Sequence, residues 1–542
     1  MCCAWRRSYR AGEFRTTLEK VVLLQVKPAK MQQKERLMSR DIRLASLILL
    51  MILLTSCSQG RPPASTQQPG VTGAPETPIA GMAPTSDKFP TMEVHADVPP
   101  TVPAAARPTA TGRPPAQAQA PTEPIPGMEL ESFMEKRYLL AIEAGAYWFR
   151  RNAILWSDVE RTEGKLNWSV VLNLEKELAF ASAQGVQMMV IVRGAPAWAQ
   201  KLPGVICGPI LPEKLPAFAN FMFEVVKRYS APPYNVRYWE LGNEPDIDPN
   251  LTAKDSPFGC WGDANDPYYG GGQYAEMLKV VYPKIKEADP EAQVLVGGLL
   301  LDCDPINPPE GKNCTPSRYL EGILKNGGGD YFDGVSFHAY DYYVAPHFYG
   351  NGNWNSGMDT YGPVLVPKAR YLRSVLNANG YPGKFLINTE SGLVCGRDGS
   401  EAICQTEEFN QTKASYVAQA NVSALAEGLR GNLWYSLTGW RGTALIDRSS
   451  KPYPAYEAFK FSANQISKAR YVREITDFPG VRGYELERNG VRIWFLTSAD
   501  GQDHTITLPN QPAAIQDMLG ESLPPSTEVT ITNAPVYIEL KP

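Results

Sequence analysis

Two glutamates stand at the ends of short apolar runs. One run reads Trp239-Glu240-Leu241-Gly242-Asn243-Glu244-Pro245-Asp246 and the other Phe385-Leu386-Ile387-Asn388-Thr389-Glu390-Ser391-Gly392. Glu244 and Glu390 lie 146 positions apart, so only a fold can bring them together. Two carboxyl groups facing each other across a cleft are the minimal apparatus for breaking a glycosidic bond. One protonates the leaving oxygen, and the other attacks or activates water. The donor must be held protonated by burial or a neighbouring charge, and its partner held ionised by cations or hydrogen-bond donors. Phe149-Arg150-Arg151-Asn152 offers the cation, and strand alternation sends only one of the two arginines inward. Ser336-Phe337-His338-Ala339-Tyr340 puts His338 and Tyr340 on one strand face. Trp198, Trp434 and Trp440 offer flat apolar faces to the C–H side of a sugar ring, with ordinary packing as the alternative for each.

The elements that must position these groups alternate along the chain. Strands are expected at Gly127–Leu130, Ala146–Asn152, Val186–Val192, Val236–Gly242, Gln293–Gly298, Gly334–His338, Lys384–Asn388 and Gly431–Ser436. Helices are expected between and after them: Phe133–Ala144, Val170–Gln184, Lys214–Arg228, Gly272–Ala288, Ser317–Lys325, Pro367–Asn379, Asn410–Glu427 and Pro454–Ile466. Gly185 and Gly380 suit helix C-termini. Eight βα repeats over about 340 residues predict an α/β fold, a (β/α)8 TIM barrel over 127–468, with function at the carboxyl ends of its strands. A doubly wound open sheet is the alternative, but no Gly-rich phosphate loop opens any early helix. Beyond Ala469, alternating runs separated by turns such as Asn489-Gly490 predict a small antiparallel β-domain over 469–542.

Asn243-Glu244-Pro245 and Thr389-Glu390-Ser391, each at a strand end, resemble the acid/base and nucleophile signatures of clan A glycoside hydrolases. The resemblance runs from about Gly127 to Phe461 and is nearest to families 39 and 5. It implies a retaining mechanism without metal or organic cofactor, with Glu244 as acid/base and Glu390 as nucleophile. It also implies Arg151 facing the nucleophile (Arg150 being the alternative), Tyr340 donating to Glu390, His338 beside both glutamates, and Asn243 on the sugar 2-hydroxyl. The substrate implied is a β-linked polysaccharide, oligosaccharide or glycoside.

Residues 1–57 read as an address. The apolar run Leu44–Leu54 follows Arg36, Arg40 and Arg43 and is too short to span a bilayer. Leu54-Thr55-Ser56-Cys57 resembles a bacterial lipobox, which implies export, cleavage before Cys57 and a lipid anchor there. Met31 or Met38 is then the expected start. In the stretch 58–126, with Gly127 at its end, 16 of 70 residues are Pro, a composition that reads as an extended, disordered spacer. The six remaining cysteines, Cys207, Cys260, Cys303, Cys314, Cys395 and Cys404, read as disulfides in an exported chain. Close spacing favours Cys303–Cys314 and Cys395–Cys404, leaving Cys207–Cys260. No pair has the C-x-x-C spacing of a zinc site, and four histidines leave little for a multi-His metal centre. A net charge of −4 over 542 residues gives no basic footprint for nucleic acid. Two rival functions remain: a surface lipoprotein that binds carbohydrate without turnover, and a solute receptor, which would need two lobes and a hinge.

Overall fold

The computed structural model describes residues 121–541 except 254, 255, 257, 258 and 355–361. The expected signal, lipidation site and most of the Pro-rich spacer lie outside the described residues. Eight parallel strands close on themselves: β1 (Pro126–Glu129), β2 (Trp148–Leu155), β3 (Gln187–Arg193), β4 (Tyr238–Asn243), β5 (Gln293–Leu299), β6 (Gly334–Ala345), β7 (Phe385–Val394) and β8 (Asn432–Tyr435). Each pairs with its sequence neighbours, and β8 pairs back onto β1. The eight main helices follow the strands in turn: α1 (Glu135–Glu143), α2 (Leu172–Ala183), α3 (Leu215–Tyr229), α4 (Gly271–Ala288), α5 (Tyr319–Lys325), α6 (Leu365–Ala378), α7 (Glu407–Ala426) and α8 (Pro454–Ile466). Among the described residues no helix is long and apolar enough to cross a membrane.

Two layers of core make the barrel. Outside the strands, Phe149, Val190, Trp239, Val296, Phe337 and Leu386 pack against the helices. Inside, Trp148, Met189, Tyr238, Leu295, Ile387 and Leu433 form a dry floor. Because side chains alternate, residues two positions further along each strand stand on the same inner wall above that floor. Those positions include Glu129, two beyond Gly127, then Arg150, Glu240, Thr389 and Tyr435, with Ile191 and Gly297 between them, so a largely polar layer sits directly on an apolar one. The last spacer residues already belong to the fold: Pro124 O accepts from Trp148 Nε1 at 2.8 Å, and Ile125 is buried.

The C-terminal part is a six-stranded antiparallel sheet faced by a two-stranded one. Its strands are β9 (Arg470–Ile475), β10 (Val481–Arg488), β11 (Val491–Ser498), β12 (His504–Thr507), β13 (Ala514–Asp517), β14 (Ser522–Leu523), β15 (Glu528–Ile531) and β16 (Val536–Leu540). β10 and β11 turn through Asn489-Gly490, both at positive φ, as a two-residue hairpin requires. The short strands β13 to β15 were not expected from the sequence. Their inward residues Ile515, Val529 and Ile531 complete a core with Val481, Trp494 and Ile538. The sheet covers the outer face of α7, where Ser415 Oγ donates to Asn533 O at 2.9 Å. That explains why α7 is buried almost all round.

Three disulfides join the loops at the carboxyl ends of the strands: Cys207–Cys260, Cys303–Cys314 and Cys395–Cys404. They fit an exported protein. The first spans 53 residues and the last 9. In the chain-entropy account the stabilisation grows with the logarithm of the closed loop. Urea unfolding of the two paired Cys→Ser variants should therefore show Cys207/Cys260 losing about 1.5 kcal/mol more than Cys395/Cys404. Equal losses would mean that strain or residual structure, and not loop closure, sets these values.

Candidate active site

The polar layer is organised by one cation. Arg150 is buried, and its guanidinium holds four partners at once: Nε donates to Glu240 Oε2 at 2.6 Å, Nη1 to Glu129 Oε2 at 3.0 Å and Glu390 Oε1 at 2.5 Å, and Nη2 to Asn243 Oδ1 at 2.6 Å. Arg151 points the other way. It bonds Glu177 on α2 and the Leu130 carbonyl, outside the barrel. The expectation that Arg151 faces Glu390 is thus corrected: Arg150 shares the inward parity of Trp148 on the floor.

Glu390 has both carboxylate oxygens engaged. Tyr340 Oη donates to Oε2 at 2.6 Å while Arg150 holds Oε1. β6 and β7 run side by side with His338 opposite Glu390, which places both side chains of the His-x-Tyr pair at that carboxylate. Glu244 follows β4 with φ at 51°, a backbone conformation that non-glycine residues seldom adopt. His338 Nδ1 lies 2.9 Å from Glu244 Oε1 and 3.5 Å from Glu390 Oε2. One ligand atom from each of Glu244, His338 and Glu390 lies within 4.8 Å of the others. The two carboxyl groups therefore approach each other closely at their nearer oxygens. The same triad could be read as ligands for a divalent cation. Glu390, however, already meets a cation and a phenol on its two oxygens.

The environments of the two carboxyl groups differ. Burial raises Glu244 to about 7, against the lowering pull of Arg150 and Lys368. Burial lowers His338 to about 4, so the imidazole beside Glu244 is neutral near pH 7. Glu390 instead sits against the Arg150 guanidinium. Burial also raises Glu129 to about 8, with Arg150 opposing and Glu390 adding to the rise. Below this group Glu240 accepts from Arg150, from Ser336 Oγ at 2.6 Å and from Thr389 Oγ1 at 3.3 Å. Lys368 on α6 donates to the carbonyls of Leu300 and His338, both at 2.8 Å. Asp246 accepts from the amides of Leu300 and Leu301, which ties the loops after β4 and β5 together.

Glu129, Glu240 and Lys368 were not singled out from sequence. The signal for Glu240 was present: a lone charge inside Tyr238-Trp239-Glu240-Leu241 demands a buried partner. Asn243 is held by its Oδ1, which leaves its amide nitrogen as the end able to donate to a substrate oxygen. Of the three tryptophans, only Trp440 stands in the aromatic group around Glu390. It is 45% exposed and lies edge-on to Tyr340, whose hydroxyl donates to Glu390. Trp434 is a correction: it faces outward to Tyr416 on α7, with Nε1 on Thr443 O, and its neighbour Tyr435 has the inward place. Trp198 packs on Trp156, under Lys214, and donates to Glu160 O. The loop after β4 also turns its aromatics inward, with Trp261 against Tyr274 and Tyr269 buried.

Fold and site together define a (β/α)8 barrel with two facing carboxyl groups at the carboxyl ends of β4 and β7. No family model and no curated protein matches the sequence. Solved structures do. A family 39 glycoside hydrolase from the gut symbiont Bacteroides cellulosilyticus WH2 aligns with a TM-score of 0.59 and 19% identity, over 77% of this chain and 81% of that one. A conserved exported protein from Bacteroides fragilis aligns with a TM-score of 0.55 and 11% identity, over 78% and 99%. A family 30 endoxylanase from Clostridium papyrosolvens C71 aligns at 0.51 and 11%, over 78% and 98%. At these identities the likeness establishes the shared fold.

His338 reaches Glu244 past β5, where Gly298 has no side chain; a Cβ there would lie 2.2 Å from His338 Nε2. Histidine-labelled NMR should find His338 neutral at pH 5, with titration near 4. In Gly298→Ala the ring must move, so the His338 ring signals should shift and its contact with Glu244 should be disturbed. A wild-type His338 already charged at pH 5 would contradict the lowering of its titration by burial.

Proposed function

We propose that this chain is a retaining glycoside hydrolase acting on β-linked glycans, exported and held at a membrane by lipid on Cys57. One observation carries the reading. Glu244, raised to about 7, and Glu390, held by Arg150 and Tyr340, present oxygens within 4.8 Å across the barrel mouth. The glycoside hydrolases among its structural neighbours support the general reaction, and the family 30 endoxylanase makes β-xylan a natural first substrate to try.

In this reading Glu390 attacks the anomeric carbon while the protonated Glu244 gives its proton to the glycosidic oxygen. The C–O bond breaks, the leaving sugar departs as an alcohol, and the glycone stays esterified to Glu390. Glu244, now a carboxylate, takes a proton from water. That water attacks the same carbon from the opposite face and frees Glu390, so two inversions give net retention. Tyr340 and Arg150 stabilise Glu390 as a carboxylate before attack and on release. Neutral His338 positions Glu244 without fixing a second charge beside it. The amide nitrogen of Asn243 suits the sugar 2-hydroxyl.

The test is turnover of a panel of aryl β-glycosides and β-glycans, beside Glu390→Gln. The parent should be active and the variant slower by about 10³-fold or more. Equal rates would remove Glu390 as nucleophile. Silence from both, in folded protein that still binds glycans, would favour a non-catalytic carbohydrate-binding protein. The pH profile gives a second test. The first step needs Glu244 protonated, so kcat/KM should fall as pH rises through about 7. Glu244→Gln should remove that alkaline limb on aryl substrates whose leaving group needs no proton. An unchanged limb would assign it to another group.

A further inference from the structure

The inner face of β6 does not end at the catalytic carboxylates. His338 and Tyr340 meet Glu390, and the same parity continues outward through Tyr342 and Val344, which are 44% and 66% exposed. Each step of two residues advances roughly 7 Å along the strand. Beside this stripe stands Trp440, 45% exposed, with its ring 5.8 Å from Tyr340 and 6.1 Å from Tyr435. Arg441 bridges the two sides, with its guanidinium carbon 5.3 Å from the Trp440 ring and 6.0 Å from the Tyr342 ring. The result is an aromatic ramp that starts at the nucleophile and climbs out of the barrel with a cation along it.

Adjacent exposed side chains of this kind, with a cation beside them, have the composition of a ligand-binding groove. They are also held in place. Up to Val394 β7 pairs with this part of β6, and Tyr342 lies opposite Val394. The next residue, Cys395, is bonded to Cys404, and its amide donates to Arg441 O at 2.9 Å. Arg441 returns a hydrogen bond to Gly396 O. Buried Lys413 donates to Gly442 O at 3.0 Å and Ala444 O at 2.7 Å, which fixes the loop that carries Trp440 from behind. A surface that is preorganised in this way loses little entropy when a ligand lies on it.

We propose that this ramp is a binding site for the glycone side of a sugar chain, so that the enzyme grips sugar units beyond the one joined to Glu390. The proposal rests on the glycoside hydrolase reading and adds the substrate class: oligosaccharide or polysaccharide, not a monosaccharide glycoside. Three features select the occupant. The rings present apolar faces that suit the C–H faces of pyranoses, and the guanidinium supplies donors for their hydroxyls. The ramp is continuous with Tyr340 at the nucleophile, and the nucleophile bonds the glycone. Glu244, which serves the leaving oxygen, contacts none of the exposed rings at the upper end among the interactions described above.

The experiment lengthens only the glycone. 4-Nitrophenyl β-glycosides of one, two and three sugars, in the xylose and the glucose series, share one leaving group. For each protein the quantity read is kcat/KM for the longest substrate divided by that for the shortest, so any general loss of activity cancels. The full chain should gain with length, and Tyr342→Ala and Trp440→Ala should each cut that gain by about tenfold. No gain in the parent, or a gain that both variants keep, overturns the ramp. If neither series is turned over, the hydrolase reading fails for these two sugars without bearing on the ramp. Calorimetry with xylohexaose and cellohexaose on Glu390→Gln, with and without Tyr342→Ala, then decides the ramp alone. Binding weakened by the second substitution supports it, and absent or unaffected binding refutes it.

Discussion

Everything at the mouth of this barrel depends on a single buried guanidinium. Arg150 is surrounded by three carboxyl groups and an amide, from β1, β4 and β7 and the end of β4. A lone charge at that depth would be prohibitive; this one is held because its planar donors meet acceptors in several directions. The arrangement also works in reverse. Remove the cation and Glu240, with no exposure to water, is left as an unpaired buried charge, a loss of about 3–5 kcal/mol by analogy with other broken buried pairs. Lysine would not replace it, since one ammonium cannot span four partners in a plane. The same contacts that make Arg150 tolerable orient Asn243 and hold Glu390, so the stability of the inner wall and the geometry of the proposed chemistry are one problem.

The layer below and the loops above serve this constraint. The floor of Trp148, Met189, Tyr238, Leu295, Ile387 and Leu433 excludes water from beneath. In so dry a setting each charge acts more strongly on its neighbours than it would in water. The two glutamates there have different neighbours: one is buried beside a neutral imidazole, the other is braced by a cation and a phenol. Above, Asp246 and Lys368 hold loop backbone, and three disulfides close the longer excursions. Rigid support under the proposed catalytic pair matters because misplacement by an ångström can cost orders of magnitude in rate.

Much of this was legible in the sequence, and what was not shares one cause. Strands such as β3 and β5 read as short apolar runs because both of their faces are covered, and longer helical segments separate the eight. The same double covering hides parity. In Trp148-Phe149-Arg150-Arg151 each face carries one aromatic and one arginine, so nothing in the segment phases the alternation. The floor decides it, and the floor is assembled from residues spread over the whole barrel. The misplacement of Trp434 is the same error, since Leu433 and Tyr435 take the inner wall. Glu129 escaped notice because β1 is only four residues long. By contrast His338 and Tyr340 share one face whichever way the strand is phased, so the pair was legible as a unit, and the register of β6 against β7 sets it at Glu390.

The central claim is that Glu390 becomes covalently joined to the sugar. The direct measurement is incubation with 2,4-dinitrophenyl 2-deoxy-2-fluoro-β-xyloside and the corresponding glucoside, followed by mass spectrometry of the intact protein and of its peptides. The account predicts a mass gain of one fluorosugar on the peptide containing Glu390, with the label absent from Glu390→Gln. A label on a different carboxylate, or turnover of the unfluorinated glycosides to products of inverted configuration, would contradict it.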